Sequence, residues 1–340
     1  MTSRAQVTVP NTVNPTRTAR RSYQSEWRRF GAALPFVLPN LLGFLIFTTF
    51  PVLFSFAIAF SNWDLQRSVP FRWTGFENFV TLFQDNDFWI YFANTVYFLI
   101  GMPVAIAGSL ALALLLSQKI RGVVVYRTLF YLPSFTSGVA LMILWKALYN
   151  PDFGPINAAI NGFSDALHLG IHAPQWLLAT ANLVGLDVEK VTFSTKQFGL
   201  GARDAIIIMG VWTAIGGSNM LLYLAALTNV PQDLQEAAQL DGATRWQVFQ
   251  NVTWPQLAPT TFFIVVMSFI GGLQGGFEQA RVMTNGGPAG TTTTLSYYIY
   301  NKAFEEFQIG YASAVSWVLF AIIFAVTLVN WKFGNKEVNY

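Results

Sequence analysis

Of the 340 residues, 53% are hydrophobic and only 11% are charged, less than half the charge density of an average soluble domain, about 25%. Charge-free runs longer than the roughly 20 apolar residues that cross a bilayer core as a helix exclude a set of soluble domains. Cysteine is absent, which excludes a disulfide framework, a thiolate metal site and a cysteine nucleophile. The two histidines, His168 and His172, are four apart with Gly170 between them and Pro174 following, a poor frame for a metal, so no metal site is expected.

Residues 1–29 carry six arginines (Arg4, Arg17, Arg20, Arg21, Arg28, Arg29) against a single acid, Glu26. This segment is expected to be a disordered basic tail. It lacks the short apolar stretch and small-residue cleavage site of a signal peptide. Six charge-free runs follow: Phe30 to Trp63, Phe88 to Gln118, Thr128 to Trp145, Ala205 to Gln232, Trp246 to Phe277 and Phe307 to Trp331. The pattern predicts an all-α membrane domain of six spans over 30–332, with 333–340 as a second tail. The first run is long enough for an interfacial segment up to about Pro39 before the span proper. The third is short, with Lys146 at its end placed to snorkel. Pro35, Pro39, Pro51 and Pro103 fall within the first two runs, as membrane helices tolerate.

Lys and Arg collect on alternate connections. With the N-terminus inside, the inner segments hold twelve basic residues and five acids, and the outer ones seven and twelve. The positive-inside rule then places both termini and the 229–256 connection in the cytoplasm. The 166–186 stretch is also free of Asp, Glu, Lys and Arg, but Gly170, Pro174, both histidines and its amides make it a poor span. An outer excursion over about 150–203 is expected instead. No internal repeat is visible.

The 229–256 connection is the polar exception among these runs. Pro231 suits the first position of a helix, and Asp233 and Glu236 lie near the positive end of its dipole. Leu234, Ala237 and Ala238 share one face. Asp241-Gly242 breaks the helix, with Gly242 supplying the freedom for a sharp turn. A second short helix is predicted from Arg245, Trp246, Phe249 and Val252, ended by Pro255. The Ala238-x-x-x-Gly242 spacing also suits a DNA-binding helix-turn-helix. Three acids against one arginine would repel phosphate, so a protein partner is the better reading.

The segment EAAQLDGA (Glu236 to Ala243), closed by Pro255 and Pro259, resembles the cytoplasmic EAA loop of ABC importer permeases. More narrowly, the chain resembles the first permease subunit of binding-protein-dependent sugar importers of the maltose and glycerol-phosphate type. WTGFENFVTLFQDNDFW with Asn94-Thr95, YRTLFYLPS, LYNPDFGPIN, MTNGGPAGTTTTLSYYIYNKAF and GYASAVSWVLF are similar to its landmarks, together covering about 60 to 330. About 163–203 reads as an insertion relative to many members, and the 29-residue tail lies outside the resemblance.

The resemblance implies a type I ABC importer permease fold in a prokaryotic plasma membrane. It implies a second, homologous permease subunit, two cytoplasmic ATPase subunits that hold ATP and Mg, and an outer sugar-binding protein. The EAA loop would be a coupling helix seated in the ATPase, with Glu236, Ala237, Ala238, Asp241, Gly242, Arg245 and Phe249 as the contact set. No phosphate-binding G-x-x-x-x-G-K-[ST] loop occurs, so no cofactor and no catalytic residue are expected in this chain. Charge-free spans argue against the alternative of a secondary transporter, which would bury ionisable groups near the midplane. A membrane scaffold or receptor is the other alternative. A neutral sugar path needs amides, hydroxyls and aromatic faces, and Ser218, Asn219, Tyr223, Gln274 and Phe277 are its candidate residues. Asn219 and Tyr223 are four apart and share a helical face, though the glycine pairs beside these residues equally suit close helix packing. The lack of charge in the spans also speaks against an anionic substrate.

Overall fold

The computed structural model describes residues 34–118, 120–136, 138–170, 172–184 and 199–334. The basic N-terminal tail, residues 335–340 and the 185–198 part of the excursion, with Lys190 and Lys196, lie outside the described residues. The chain separates into two compact units, residues 1–57 and 58–340. The first contains nearly all of α1 (Leu34–Ile58), whose 25 residues rise about 37 Å at 1.5 Å each. Phe36, Phe47 and Phe50 on it are among the most exposed apolar side chains.

In the second unit the described helices are α2 (Glu77–Gln84), α3 (Asn86–Leu116), α4 (Val123–Phe135), α5 (Gly138–Leu148), α6 (Pro155–Ala166), α7 (Ala202–Thr228), α8 (Gln232–Leu240), α9 (Arg245–Gln274), α10 (Phe277–Gln279), α11 (Leu295–Tyr300) and α12 (Ile309–Gly334). No strand occurs among the described residues, only an isolated bridge between Ser61 and Trp73. Five helices, α1, α3, α7, α9 and α12, are each long and apolar enough to cross a bilayer. They match five of the six predicted runs to within a few residues.

The third run is not one straight helix: it folds as α4 and α5, bent by 97°, a pair that together is long and apolar enough to count as a sixth, broken span or as a re-entrant loop. Pro133 explains the break: it offers no N–H and disfavours a regular helix around it. The end of α4 tightens into a 3-10 turn over Leu132–Phe135, after which Thr136 is extended. The predicted outer excursion contains α6 and then irregular chain to residue 184, with one 3-10 turn at Trp176–Leu178. No helix in the described part of 166–186 is long enough to span.

Prolines inside the spans are absorbed by changes of helical pitch. In α1 a π turn over Leu45–Thr49 stands directly before Phe50-Pro51, the Phe50 N–H donating to the Leu45 carbonyl. In α9 the same device covers Phe249–Thr253, with Trp254 N–H donating to Phe249 O just before Pro255. Widening the turn takes the carbonyl four residues back out of the way of the proline ring. Pro255 was expected to end a short second helix, and it does not: α9 runs unbroken in direction from the connection into the fifth span. Pro103 acts differently, following a break at Leu99 and Ile100 where i to i−3 bonds replace the helical ladder.

Three apolar clusters hold the second unit together. Leu82, Phe88, Leu273, Leu295 and Val315 join α2, α3, α9, α11 and α12. Leu141, Trp145, Tyr149, Trp176 and Ile206 dock the excursion on α5 and α7. Leu112, Ala113, Met220, Tyr223 and Ile264 join α3, α7 and α9. The excursion is pinned by polar bonds as well: Trp176 Nε1 donates to Asn157 Oδ1 at 2.7 Å and the Tyr149 hydroxyl to Ala205 O at 2.9 Å. These bonds account for much of the LYNPDFGPIN motif as structural.

The Gly216-Gly217 pair interrupts α7 between Ile215 and Ser218. A Cβ at Gly216 would collide with the Phe130 backbone carbonyl of α4, so this glycine serves close approach. Gly216→Val is therefore expected to lower stability by about 3 kcal/mol, the upper end of overpacking costs because backbone must move. Gly210→Ala, where a Cβ meets nothing within 4 Å, is the control. Thermal unfolding of the solubilised chain measures both, and equal midpoints would contradict the packing role.

Candidate functional site

At one end of the unit, α8 and the start of α9 form a two-helix knob. Gln232 is its first helical residue, with Pro231 as the N-cap rather than at the first position. The turn that closes α8 is a double C-cap: Gly242 N–H donates to Gln239 O at 3.1 Å and Ala243 N–H to Ala238 O at 3.0 Å. This Schellman arrangement needs a left-handed residue between its bonds. Gly242 supplies it at φ +84, a conformation strained for any residue with a Cβ. Two residues later Thr244 caps α9: its backbone N–H donates to the Gln247 side-chain oxygen at 2.8 Å, and its hydroxyl accepts from Gln247 N–H. This capping box fixes both orphan donors at the helix start.

The knob is rigid in backbone and bare in side chain. No residue of α8 is buried. Leu240 is 89% exposed and Trp246 63%. Glu236, Ala237, Asp241, Gly242 and Arg245 are exposed, whereas Ala238 and Phe249 are half-buried. Phe249 is stacked on Trp246 at 5.4 Å and lies 6.3 Å from Trp254. Neither Glu236 nor Arg245 forms an ion pair among the described residues. Leu240, missed in the sequence because it ends the helix, extends the apolar surface; its position before Asp241-Gly242 was the available signal.

A cavity of about 340 Å³ lies between α3, α7 and the end of α9. Asn219, Ser268 and Gln279 give it polar groups, and Gly271, Gly272 and Gly275 leave it open. Of the five residues predicted for a substrate path, Asn219 alone lines it. Ser218 and Gln274 are exposed outside its lining, and Gln274 O accepts from Ser296 Oγ at 2.6 Å. Phe277 packs against Tyr300 at 5.1 Å. Tyr223 is 0% exposed and belongs to the α3–α7–α9 cluster, so Asn219 and Tyr223 do not meet in the cavity. Ser268 and Gln279 were not singled out from the sequence. Ser268 and Gly272 are four apart on α9 and share a helical face, which was the available signal for Ser268; α9 ends at Gln274 and Gly276 turns left-handed at φ +86, so no helical spacing pointed to Gln279.

At the opposite end from the knob, the loop after α10 is tied to α3 and α7. Asn94 Nδ2 donates to Gly290 O and Thr293 O at 2.9 and 3.0 Å, and Leu295 N–H donates to Thr95 Oγ1 at 2.9 Å. Thr291, Thr292, Thr293 and Thr294 are all buried, and the first three bond back to the Pro288, Gly287 and Gly286 carbonyls. The GGPAGTTTT motif is thus a self-braced loop. Arg203 and Asp204, placed outside the spans in the sequence, form the first turn of α7 and are each 2% exposed. Tyr97 Oη donates to Asp204 Oδ1 at 2.6 Å, Gly201 N–H donates to Asp204 Oδ2 at 3.1 Å, and Arg203 Nε donates to Thr291 O at 3.0 Å. Nearby, the Tyr298 and Tyr311 hydroxyls both donate to Asp85 Oδ2. Burial, then the hydrogen bond to Asp85, pushes the Tyr298 hydroxyl well above the usual tyrosine range, so it stays a neutral donor.

Residues 30–331 match the family model described as binding-protein-dependent transport system inner membrane component. The Probable ABC transporter permease protein YesP of Bacillus subtilis is 34% identical over 314 residues, covering 91% of this chain and 92% of that protein. The lactose transport system permease protein LacF of Rhizobium radiobacter is 32% identical over 307 residues, covering 89% and 93% respectively. A chain in the crystal structure of a bacterial ABC transporter involved in the import of the acidic polysaccharide alginate shares the fold, with a TM-score of 0.74 at 24% identity. It aligns over 94% of this chain and 100% of that one.

Proposed function

The chain belongs to the family of binding-protein-dependent transport system inner membrane components, and on that premise we propose that it is one of two permease subunits of an ATP-driven sugar importer. It is a multi-pass membrane transport component, not an enzyme. Its relatives include permeases named for sugar transport, which supports a sugar or sugar-like solute here. The gradient-driven and scaffold alternatives are not favoured by this company. In this reading two ATPase subunits hold ATP and Mg on the cytoplasmic side, and a sugar-binding protein delivers solute from the outer side. Both termini are cytoplasmic, in accord with the Lys and Arg distribution.

The observation that carries the mechanism is the bare, doubly capped knob of α8 and α9. A subunit that hydrolyses nothing must receive motion through a stiff contact, and the knob has turns closed by hydrogen bonds, exposed apolar side chains and the carboxylate of Glu236, which forms no ion pair among the described residues. Because α9 continues from the knob into the cavity wall without a break, a push on Arg245 or Trp246 reaches Ser268 along one helix. Copurification with the products of the neighbouring genes, followed by ATP hydrolysis with and without the binding protein, tests the assembly. Failure of any ATPase to copurify would overturn it.

The cavity between α3, α7 and α9 is the substrate path in this proposal, with Asn219 as its hydrogen-bonding side chain. Replacing Asn219 by Leu is expected to reduce uptake roughly tenfold by removing a hydrogen bond to the solute. ATP hydrolysis stimulated by the binding protein should be preserved. Unchanged uptake of every transported sugar would remove Asn219 from the path.

A further inference from the structure

Where the excursion meets the segment after α10, a second cavity of about 570 Å³ opens between the end of α5, the 175–178 turn and the π turn Ala280–Thr284. That volume lies within the range of small-molecule sites. Its lining is unlike that of the α3–α7–α9 cavity, because it contains two cations. Lys146 and Arg281 both line it, both are exposed, and neither forms an ion pair among the described residues. The Arg281 guanidinium lies 4.4 Å from the Tyr300 ring centroid and 5.8 Å from that of Phe277. Those faces hold the guanidinium by cation–π attraction and leave its N–H edge for another partner. Asp152 is the one carboxylate in the lining.

The amides here are biased toward donation. Asn150 Oδ1 accepts from the backbone N–H of Asp152 and Phe153, at 2.9 and 3.2 Å. Asn285 Oδ1 accepts from the Tyr297 hydroxyl at 2.9 Å. With both carbonyl oxygens occupied, the NH₂ groups of Asn150 and Asn285 remain as donors, joined by Gln175. Tyr149 has its hydroxyl committed to Ala205 O. The result is a concave site with an excess of donors and positive charge, and Leu177 and Val282 as apolar wall. Such a site selects a ligand rich in acceptors and bearing negative charge.

We propose that this cavity binds an anionic saccharide through its carboxylate or phosphate group, beside the entrance of the transport path. The inference rests on the importer reading. Arg281 follows Gln279, which lines the α3–α7–α9 cavity, by two residues on the same helical segment, so a solute held here is next to that cavity. The cations stand at the ends of the spans, not within them, which reconciles an acidic solute with charge-free membrane segments. Concavity favours a small solute over a protein segment, which would more readily use a protruding face.

The test uses the assembled importer, with partner permease and ATPases, in nanodiscs without the binding protein. Equilibrium binding of radiolabelled glucuronate, glucose 6-phosphate and glucose is measured at low salt, where the charge contribution is least screened. At least one anionic sugar is expected to bind where glucose does not, and which of the two binds decides between carboxylate and phosphate. Lys146→Gln together with Arg281→Gln should weaken that binding by roughly tenfold or more, whereas Arg281→Lys keeps most of it. Equal binding of glucose and the anions, no binding of any, or binding untouched by the double substitution overturns the proposal. If the double substitution instead raises only the concentration of binding protein needed for half-maximal ATP hydrolysis, the cavity is a docking surface for an acidic protein segment. Absence of stimulated ATP hydrolysis in the unsubstituted assembly would sink the importer reading itself, independently of sugar binding.

Discussion

Glu236→Ala is expected to leave the permease folded and in the membrane while reducing ATP-driven uptake by about 30-fold or more. The carboxylate is exposed on a helix with no buried residue, so its loss costs the spans nothing. In the assembled importer it would lie against the ATPase, where truncating one partner of a buried charge pair costs about 2–5 kcal/mol. That range corresponds to roughly a 30-fold or larger loss of the contact. Gly242→Asp should act on the same contact by another route, since the left-handed φ of +84 penalises any Cβ by about 1–2 kcal/mol and would open the double cap. The two variants are separable by temperature: the Gly242 substitution loosens the knob itself, whereas the Glu236 substitution only removes a partner. Uptake and stimulated ATP hydrolysis are measured in proteoliposomes, with membrane insertion checked by quantifying the chain in the bilayer fraction. Unchanged uptake in both variants would refute the coupling role of the knob.

What could be read from the sequence follows a physical divide. Spans must be runs without charge, because each charged side chain at the bilayer centre costs several kcal/mol, and the ends of α1, α3, α7, α9 and α12 were visible for that reason. The turn at Asp241-Gly242 was legible because only glycine fits it cheaply. Facing direction within a span was not. A helix that is apolar all round carries no amphipathic stripe, so nothing in the residues of α7 said that Asn219 turns toward a cavity while Tyr223 is enclosed. The glycine pair at Gly216 had two readings from sequence, and the nearness of the Phe130 carbonyl selects packing. Prolines misled in both directions. Pro255 was absorbed by a π turn instead of ending its helix, and Pro133 helped to break a run that hydrophobicity presented as continuous.

Asp204→Ala is expected to be the most destabilising single change in the second unit, at about 3–5 kcal/mol, the cost of leaving a buried charge without its counterpart. The carboxylate is 2% exposed and serves three groups at once. It accepts from the Tyr97 hydroxyl on α3, it caps the Gly201 N–H at the start of α7, and its negative charge offsets the equally buried Arg203. Removing it strands a cation whose guanidinium lies over the Tyr97 ring at 5.3 Å and whose second terminal nitrogen has no hydrogen-bond partner among the described residues. Since Arg203 Nε also holds Thr291 O, the damage passes to the braced threonine loop and thence to Asn94 on α3. Asp204→Asn keeps one acceptor oxygen, enough for the Tyr97 hydroxyl or the Gly201 N–H but not both, and loses the charge, so it should fall between Ala and the parent. Thermal unfolding of the solubilised chain, read beside proteolysis of the 285–294 loop, checks the order. If Ala and Asn were equally mild, the buried arginine would have a counter-charge elsewhere and the three-way link between α3, α7 and the loop would be decorative.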